Sequence, residues 1–331
     1  MNSSTLTNNT NPDCVLIEGL LLMPIYQTVA WIQLLLVFAI LASVLVLVRQ
    51  YLYNKITIHG NLKILFANIV FIHFVNAFFW GASTVRYKFL ALIYSSNCEL
   101  LTPIWLSFVF ASPSYIYLFA YSGMHFSILA ERWRATRFAR KYENESVCFG
   151  WACAVIVWLV SLFYIFCVIF TALLDSDAFA RPLGLISLTS KYNAQAIIYS
   201  YYAVLLLLII TAVGDFWVFY VNKKLIRNRS VGPSVYSVSA NFQMNENLMT
   251  MRLILPLDIS YAILFGIYLL IGIILRSSPQ MSKTNYVAFY RTAATLLLLH
   301  SAITLALWER VRLFYQGRLV AIDIKLREKY I

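Results

Sequence analysis

Charge-poor apolar runs long enough to cross a bilayer recur seven times along this chain, and no other feature restricts its fold as strongly. A hydrocarbon core about 30 Å thick takes about 20 residues of helix at 1.5 Å rise per residue. Runs of that length are read at 25–48, 62–85, 103–130, 147–172, 196–221, 253–275 and 286–307. The seventh is the weakest, because Arg291 sits inside one end of it. The runs are continuously apolar and lack the two-residue alternation of a membrane barrel strand, so helices are the spanning form that satisfies the backbone in lipid. Composition agrees: 61% of residues are hydrophobic and 12% charged, against about half and about a quarter in soluble domains. The expected fold is an all-α membrane protein, a seven-transmembrane helix bundle.

Basic residues orient it. Nineteen of the 26 Lys and Arg residues fall on one side, beside the inner ends of the runs and in the segment 308–331, and seven fall on the other. Positively charged loops stay in the cytoplasm, which puts the N-terminal segment 1–24 outside and the basic tail inside. The net charge of +12 then faces anionic inner-leaflet lipids and cytoplasmic partners, and nucleic acid is not needed to explain it. The first 24 residues carry no cleavable leader pattern but two glycosylation sequons, at Asn2 and Asn8. Sequons at Asn144 and Asn228 fall on the inner side, where they stay silent.

Of five cysteines, Cys148, Cys153 and Cys167 belong to the fourth run and read as small buried hydrophobes. Cys14 and Cys98 share the oxidising outer face, where a bridge between them and two free thiols are equally open.

The third run ends in Glu131-Arg132-Trp133, an acid-Arg-aromatic triplet similar to the Asp-Arg-Tyr triplet of G-protein-coupled receptors. At about 100° per residue, Ser107, Ser114, Tyr121, His125 and Arg132 fall within about 40° of one another, a polar stripe that should face the bundle interior. Asp215 and Asp258 lie inside the fifth and sixth runs, and a central Asp costs about 2.5–3.5 kcal/mol on insertion scales, so each needs a partner. One of them, Asp258 before Asp215, is expected to pair with Arg132 in the resting state; structural pairing with a loop Lys or Arg is the competing reading. Asn68, His73, Asn76 and His300 are the other strongly polar residues at bilayer depth, read as an interior network or as helix glue.

A small, largely apolar ligand is expected among the outer halves of the runs, with Trp80, Trp105, Ser107, Ser114, Tyr117, Tyr121 and Tyr268 as lining and Arg291 for any anionic group. An aromatic belt at the membrane interface explains single residues of this set equally well. The four histidines show no metal-ligand spacing, and no phosphate loop or nucleophile elbow is present. No metal, cofactor or enzymatic activity is expected. A ligand-gated cation channel of odorant-receptor type, which has the opposite orientation, and a multispan transporter or enzyme remain as alternative functions. The inner loop before the sixth run is broken at Gly232-Pro233 and offers Ser230, Ser234, Ser237 and Ser239 for phosphorylation.

Three short segments then carry a family resemblance: Ala130-Glu131-Arg132 with Ala135-Thr136 and Tyr142-Glu143, Ser239 to Gln243 with Glu246-Asn247, and Trp308-Glu309-Arg310. In order and spacing they resemble the nematode serpentine chemoreceptors, most closely class epsilon, from the second run to the tail. The resemblance implies a G-protein-coupled chemoreceptor in the cell membrane of a sensory neuron or its cilia, with a small environmental or pheromone-like ligand and a heterotrimeric G protein as partners. The seventh run lacks Asn-Pro-x-x-Tyr and the sixth lacks Cys-Trp-x-Pro, so activation detail from vertebrate receptors does not transfer.

Overall fold

The computed structural model describes residues 12–53, 59–138, 142, 145–176, 179, 182–183, 186–229, 238–278 and 281–330. Within them the chain is helical throughout, apart from loops and a single bridge between Thr102 and Leu183. A short helix α1 (Pro12–Leu22) precedes α2 (Pro24–Tyr53), α3 (Gly60–Ile93), α4 (Ile104–Arg137), α5 (Cys148–Leu173) and α6 (Ala194–Arg229). The sixth span is composite, made of α7 (Val238–Ser260), a π-helical turn (Tyr261–Phe265) and α8 (Gly266–Arg276); α9 (Lys283–Tyr330) completes the bundle. Seven of these segments are long and apolar enough to cross a membrane. Asn2, Asn8, Asn144, Ser230, Ser234 and Ser237 lie outside the described residues, as do the side chains of Asn228 and Ser239.

Helix α4 is the central post, touching α3, α5, α6 and α7, while α2 packs between α3 and α9. The outer surface of the bundle is apolar: on α5 the side chains of Ile156, Leu159, Phe163 and Phe166 are all more than half exposed. A water-soluble protein could not carry such a face, and in lipid it meets a solvent as apolar as itself. Where helices must approach closely, small residues make room. A Cβ on Gly150 would stand 2.8 Å from the Asn61 backbone, and the Gly150 amide donates to Asn61 Oδ1 at 2.9 Å, which draws α5 against the start of α3.

The sixth span carries Pro256 inside α7, where it has no amide hydrogen to give and its ring crowds the preceding turn. The wider π turn that follows shifts the phase of the helix. Tyr261, Phe265, Tyr268 and Leu269 are thereby all buried in the main core.

Two differences from the sequence expectation stand out. The outer segment 1–24 holds α1, which Cys14 ties by a disulfide to Cys98, 84 residues away. Its Ile17, Leu20 and Leu21 pack with Tyr26, Tyr87 and Leu100 in a satellite core, and Glu18 accepts hydrogen bonds from Tyr94 and Asn97. At the other end the backbone of α9 continues as helix through the basic segment to Tyr330 instead of ending near residue 307.

Candidate functional site

The stripe on α4 faces inward. Ser107, Tyr121, His125 and Arg132 are buried and Ser114 is partly buried. Ser107 bonds back to Pro103 at the start of its own helix, and the other four find partners on neighbouring helices. Ser114 donates to Asn76 on α3 at 3.3 Å, and the Tyr117 hydroxyl lies 3.2 Å from Ser301 on α9 and 3.4 Å from His73. Tyr121 meets His300 Nε2 at 2.6 Å, and the other nitrogen of that ring meets Ser260 on α7 at 3.0 Å. His73, Asn76 and His300 thus meet side chains of α4, while Asn68 on the second span accepts from Trp158 on α5 at 2.8 Å.

At the inner end of that stripe Arg132 is held from three directions. It forms an ion pair with the adjacent Glu131, donates from Nη1 to Asn247 Oδ1 on α7 at 3.1 Å, and donates from Nη2 to the Tyr142 hydroxyl at 3.2 Å. Tyr142 in turn donates to Glu131 and shares a 2.9 Å contact with His59, the residue that caps α3. Asn247 extends the network, donating to Thr136 at 2.7 Å and to Asn222 on α6 at 3.2 Å. Glu131 and Arg132 are 0% and 3% exposed, so the guanidinium is compensated by a carboxylate and neutral acceptors without help from water. One cluster therefore joins the inner ends of α3, α4, α6 and α7. His59 sits just outside the spans; burial first, then the Arg132 charge, pulls its pKa below the ordinary 6.5 and keeps the ring neutral.

The expected ion pair between Asp258 and Arg132 does not form. Asp258 shares a 2.9 Å contact with His125 Nδ1, and Asp215 on α6 is close enough to interact electrostatically with both. The reason is level: His125 precedes Arg132 by seven residues, about 10 Å of helix, and Asp258 follows Asn247 by eleven, about 16 Å. The two acids and the histidine make their own buried cluster toward the centre of the bundle.

The outer-half residues divide. Tyr117, Tyr121 and Tyr268 lie in the aromatic core, where Tyr117 and Tyr121 stack 5.3 Å apart and Tyr268 reaches Tyr201 at 3.1 Å and Tyr290 at 3.3 Å. Ser107 is buried beside them against Pro103. Trp105 stands apart from them, 66% exposed on the surface of the bundle. Trp80 and Arg291 are spent on bracing. Trp80 donates to Gln33 at 3.2 Å, and Arg291 donates to Gln33 at 3.0 Å, to Thr84 at 2.7 Å and to Tyr26, so α2, α3 and α9 are pinned together.

Sequence reading gave no site role to Asn247 and Tyr142, although both fall in the segments that carry the family resemblance, and none to Gln33 or Arg276. That arginine lies over the rings of Tyr201 and Tyr290 and donates to Thr189 at 2.9 Å. Asn247 had a usable signal, since it sits on the sixth span at the level where Arg132 leaves the third. Among the described residues no group of three or more His, Cys, Asp or Glu could hold a metal ion.

The chain is 27% identical over 225 residues to Serpentine receptor class beta-17 of Caenorhabditis elegans, an alignment covering 65% of this chain and 58% of that protein. It therefore spans less than two thirds of that relative's length. The family described as "Serpentine type 7TM GPCR receptor class ab chemoreceptor" matches residues 11–313. The class epsilon likeness gives way here, because the short segments that suggested it are outweighed by a match along nearly the whole chain. With seven membrane-length helices around a polar central post and that match over 11–313, the chain belongs to the serpentine seven-transmembrane class ab chemoreceptor family.

Proposed function

We propose that the chain is a chemosensory receptor that takes a small, largely apolar molecule among the outer halves of its helices and activates a heterotrimeric G protein at its inner face. The observation that carries this reading is the Arg132 network, in which a buried cation at the end of α4 is held by Glu131, Asn247 and Tyr142. Such a clasp gives two states: closed, with α4 and α7 joined, and open, with Arg132 released toward the cytoplasm. A ligand favours the open state only by binding it more tightly. Tyr117, Tyr121 and Tyr268 supply the contacts for that difference, since they pack α4 against the composite sixth span and α9, and the clasp joins the inner ends of α4 and that sixth span. Ser107 and Ser114 add polar groups on the same face of α4. Glu131 and Arg132 are the switch, and Asp215 and Asp258 act on it from the level of His125.

In this reading the N-terminus, with Asn2 and Asn8 glycosylated, is outside a sensory neuron's plasma membrane, and the basic segment after the seventh span is on the cytoplasmic side, where anionic inner-leaflet lipid attracts it. No cofactor, metal, nucleic acid or catalytic step is required. The test is a calcium or cyclic-nucleotide reporter in cells expressing the chain, screened with small organic molecules. An agonist signal that disappears in Arg132→Ala at normal surface expression is the expected result. A ligand-gated current that survives removal of the G protein would instead establish a channel.

A further inference from the structure

The arginines that point into the bundle are well supplied with acceptors, with one exception at its outer end. Arg132 has the Glu131 carboxylate, Asn247 and Tyr142, and Arg291 has Gln33, Thr84 and Tyr26. Arg276, in the last turn of α8, spends only Nη1, which donates to Thr189 at 2.9 Å. Its Nε is buried without a hydrogen-bond partner, and among the described residues Nη2 has none either. No carboxylate among those residues pairs with it. A snorkelling arginine would turn its head group out to the lipid surface. This one instead lies 5.4 Å from the Tyr201 ring and 5.7 Å from the Tyr290 ring, between α6 and α9. The two ring faces attract the charge but leave the in-plane N–H groups without acceptors.

Nε and Nη2 form one edge of a guanidinium, with parallel N–H groups spaced for the two oxygens of a carboxylate. That edge is the unfilled one. A further donor stands beside it: the Tyr201, Tyr268 and Tyr290 hydroxyls make two contacts, at 3.1 and 3.3 Å, so one of their hydrogens is left to give. The place is not sealed, since Arg276, Thr189, Tyr286 and Tyr290 are all partly exposed, and Tyr286 and Tyr290 stack there with ring centroids 6.1 Å apart. We propose that Arg276 anchors the carboxylate of a small molecule with an aromatic or apolar body, the carboxylate along the Nε–Nη2 edge and the body against Tyr286 and Tyr290. The inference rests on the ligand reading given above and narrows it to a monoanionic acid. A cationic head group would be repelled, a neutral amide offers one oxygen where two donors wait, and a phosphate monoester brings more negative charge than one guanidinium balances.

The probes are 4-fluorobenzoate and 4-fluorobenzamide, which share a shape and differ in charge. Each is titrated at pH 7 onto the purified chain in phosphatidylcholine nanodiscs and followed by fluorine NMR, with empty nanodiscs subtracted. Saturable binding of the benzoate, at least about tenfold tighter than the amide, is expected. Arg276→Gln, which keeps a donor for Thr189, should bring the two probes to parity, while Lys283→Gln, which removes an exposed cation on the same side, should leave benzoate affinity unchanged. In the unaltered chain with nitrogen-labelled arginine, one Nε resonance should move with the benzoate and none with the amide. Equal saturable binding of the two probes, or unmoved Nε resonances, would overturn the carboxylate anchor and leave the outer-half ligand site standing. No saturable binding of either would overturn both. A benzoate preference that survives Arg276→Gln, or falls equally in Lys283→Gln, would belong to the general positive charge of the outer face and overturn the anchor.

Discussion

Arg132 on α4 donates from Nη1 to Asn247 Oδ1 on α7 at 3.1 Å, and this bond joins the two helices that the proposed coupling to a G protein would part. Asn247 is neutral, so the bond holds by geometry and by the charge on one side only. A hydrogen bond to a charged group is worth about 1.5–3 kcal/mol, and about 1.4 kcal/mol is a tenfold shift in an equilibrium. Asn247→Ala also removes the links to Thr136 and Asn222. Basal nucleotide exchange on added G protein should therefore rise about tenfold or more in membranes holding this variant, and fall again in Asn247→Ala/Arg132→Ala. A basal rate equal to that of the unaltered chain would remove Asn247 from the clasp.

How the sequence foretold this arrangement depends on the kind of signal. The seven helices were legible because insertion into lipid is decided locally, run by run. The inward face of α4 was legible because a 100° repeat needs nothing beyond the helix itself. The partner of Arg132 was not: charge complementarity pointed to Asp258, whereas the choice is made by height along a neighbouring helix, which sequence gives only once the register between helices is known. The partners of Arg291 were out of reach for a related reason, since Gln33 and Thr84 lie 258 and 207 residues away. Helix α1 left little trace. Its 11 residues are too few to span a membrane, and its place depends on a disulfide and a satellite core made by residues distant in sequence.

Arg291 should prove to be a brace. Its guanidinium donates to Gln33, Thr84 and Tyr26 and lies over the Tyr26 ring at 4.6 Å, joining α2, α3 and α9. Arg291→Ala strands these acceptors, at about 1–3 kcal/mol for each one left buried and unsatisfied. The melting temperature in detergent should drop by several degrees, and surface expression should drop with it. Arg291→Lys, a point donor in place of a planar fork, should recover only part of the loss. If Arg291→Ala keeps its melting temperature but alters the response to anionic ligands alone, the residue belongs to the ligand site instead.

Acidification of the inner side should loosen the base of α3. His59 is held neutral by burial and, secondarily, by the Arg132 charge, so its folded pKa lies below the ordinary 6.5. The unfolded chain then takes up the proton first as pH falls, and stability is lost in that direction; above about pH 6.5 both forms are neutral and nothing changes. Protonation also places a hydrogen on the Nδ1 that now accepts from the Asn61 amide at 3.4 Å. The melting temperature should fall more steeply between pH 7 and 5.5 than it does in His59→Asn, which keeps a capping side chain but cannot titrate. Parallel curves for the two proteins would show that His59 carries no part of the pH dependence.

The disulfide should govern α1 and little else. Cys14 and Cys98 join the short outer helix to the turn before α4, and without that link α1 keeps three buried side chains, Ile17, Leu20 and Leu21, and the two bonds to Glu18. An 11-residue helix is marginal on its own, so its order rests on these anchors. The spanning helices are stabilised by lipid and by each other, and the chain entropy released by cutting the bridge is spent mainly in the N-terminal segment. In Cys14→Ser, amide exchange over residues 12–22 should accelerate by at least tenfold, while protection in α3, α4 and α9 stays unchanged. Equal protection of α1 with and without the bridge would mean that the satellite core alone seats it, and loss of protection through the whole bundle would mean that the bridge is part of the main fold.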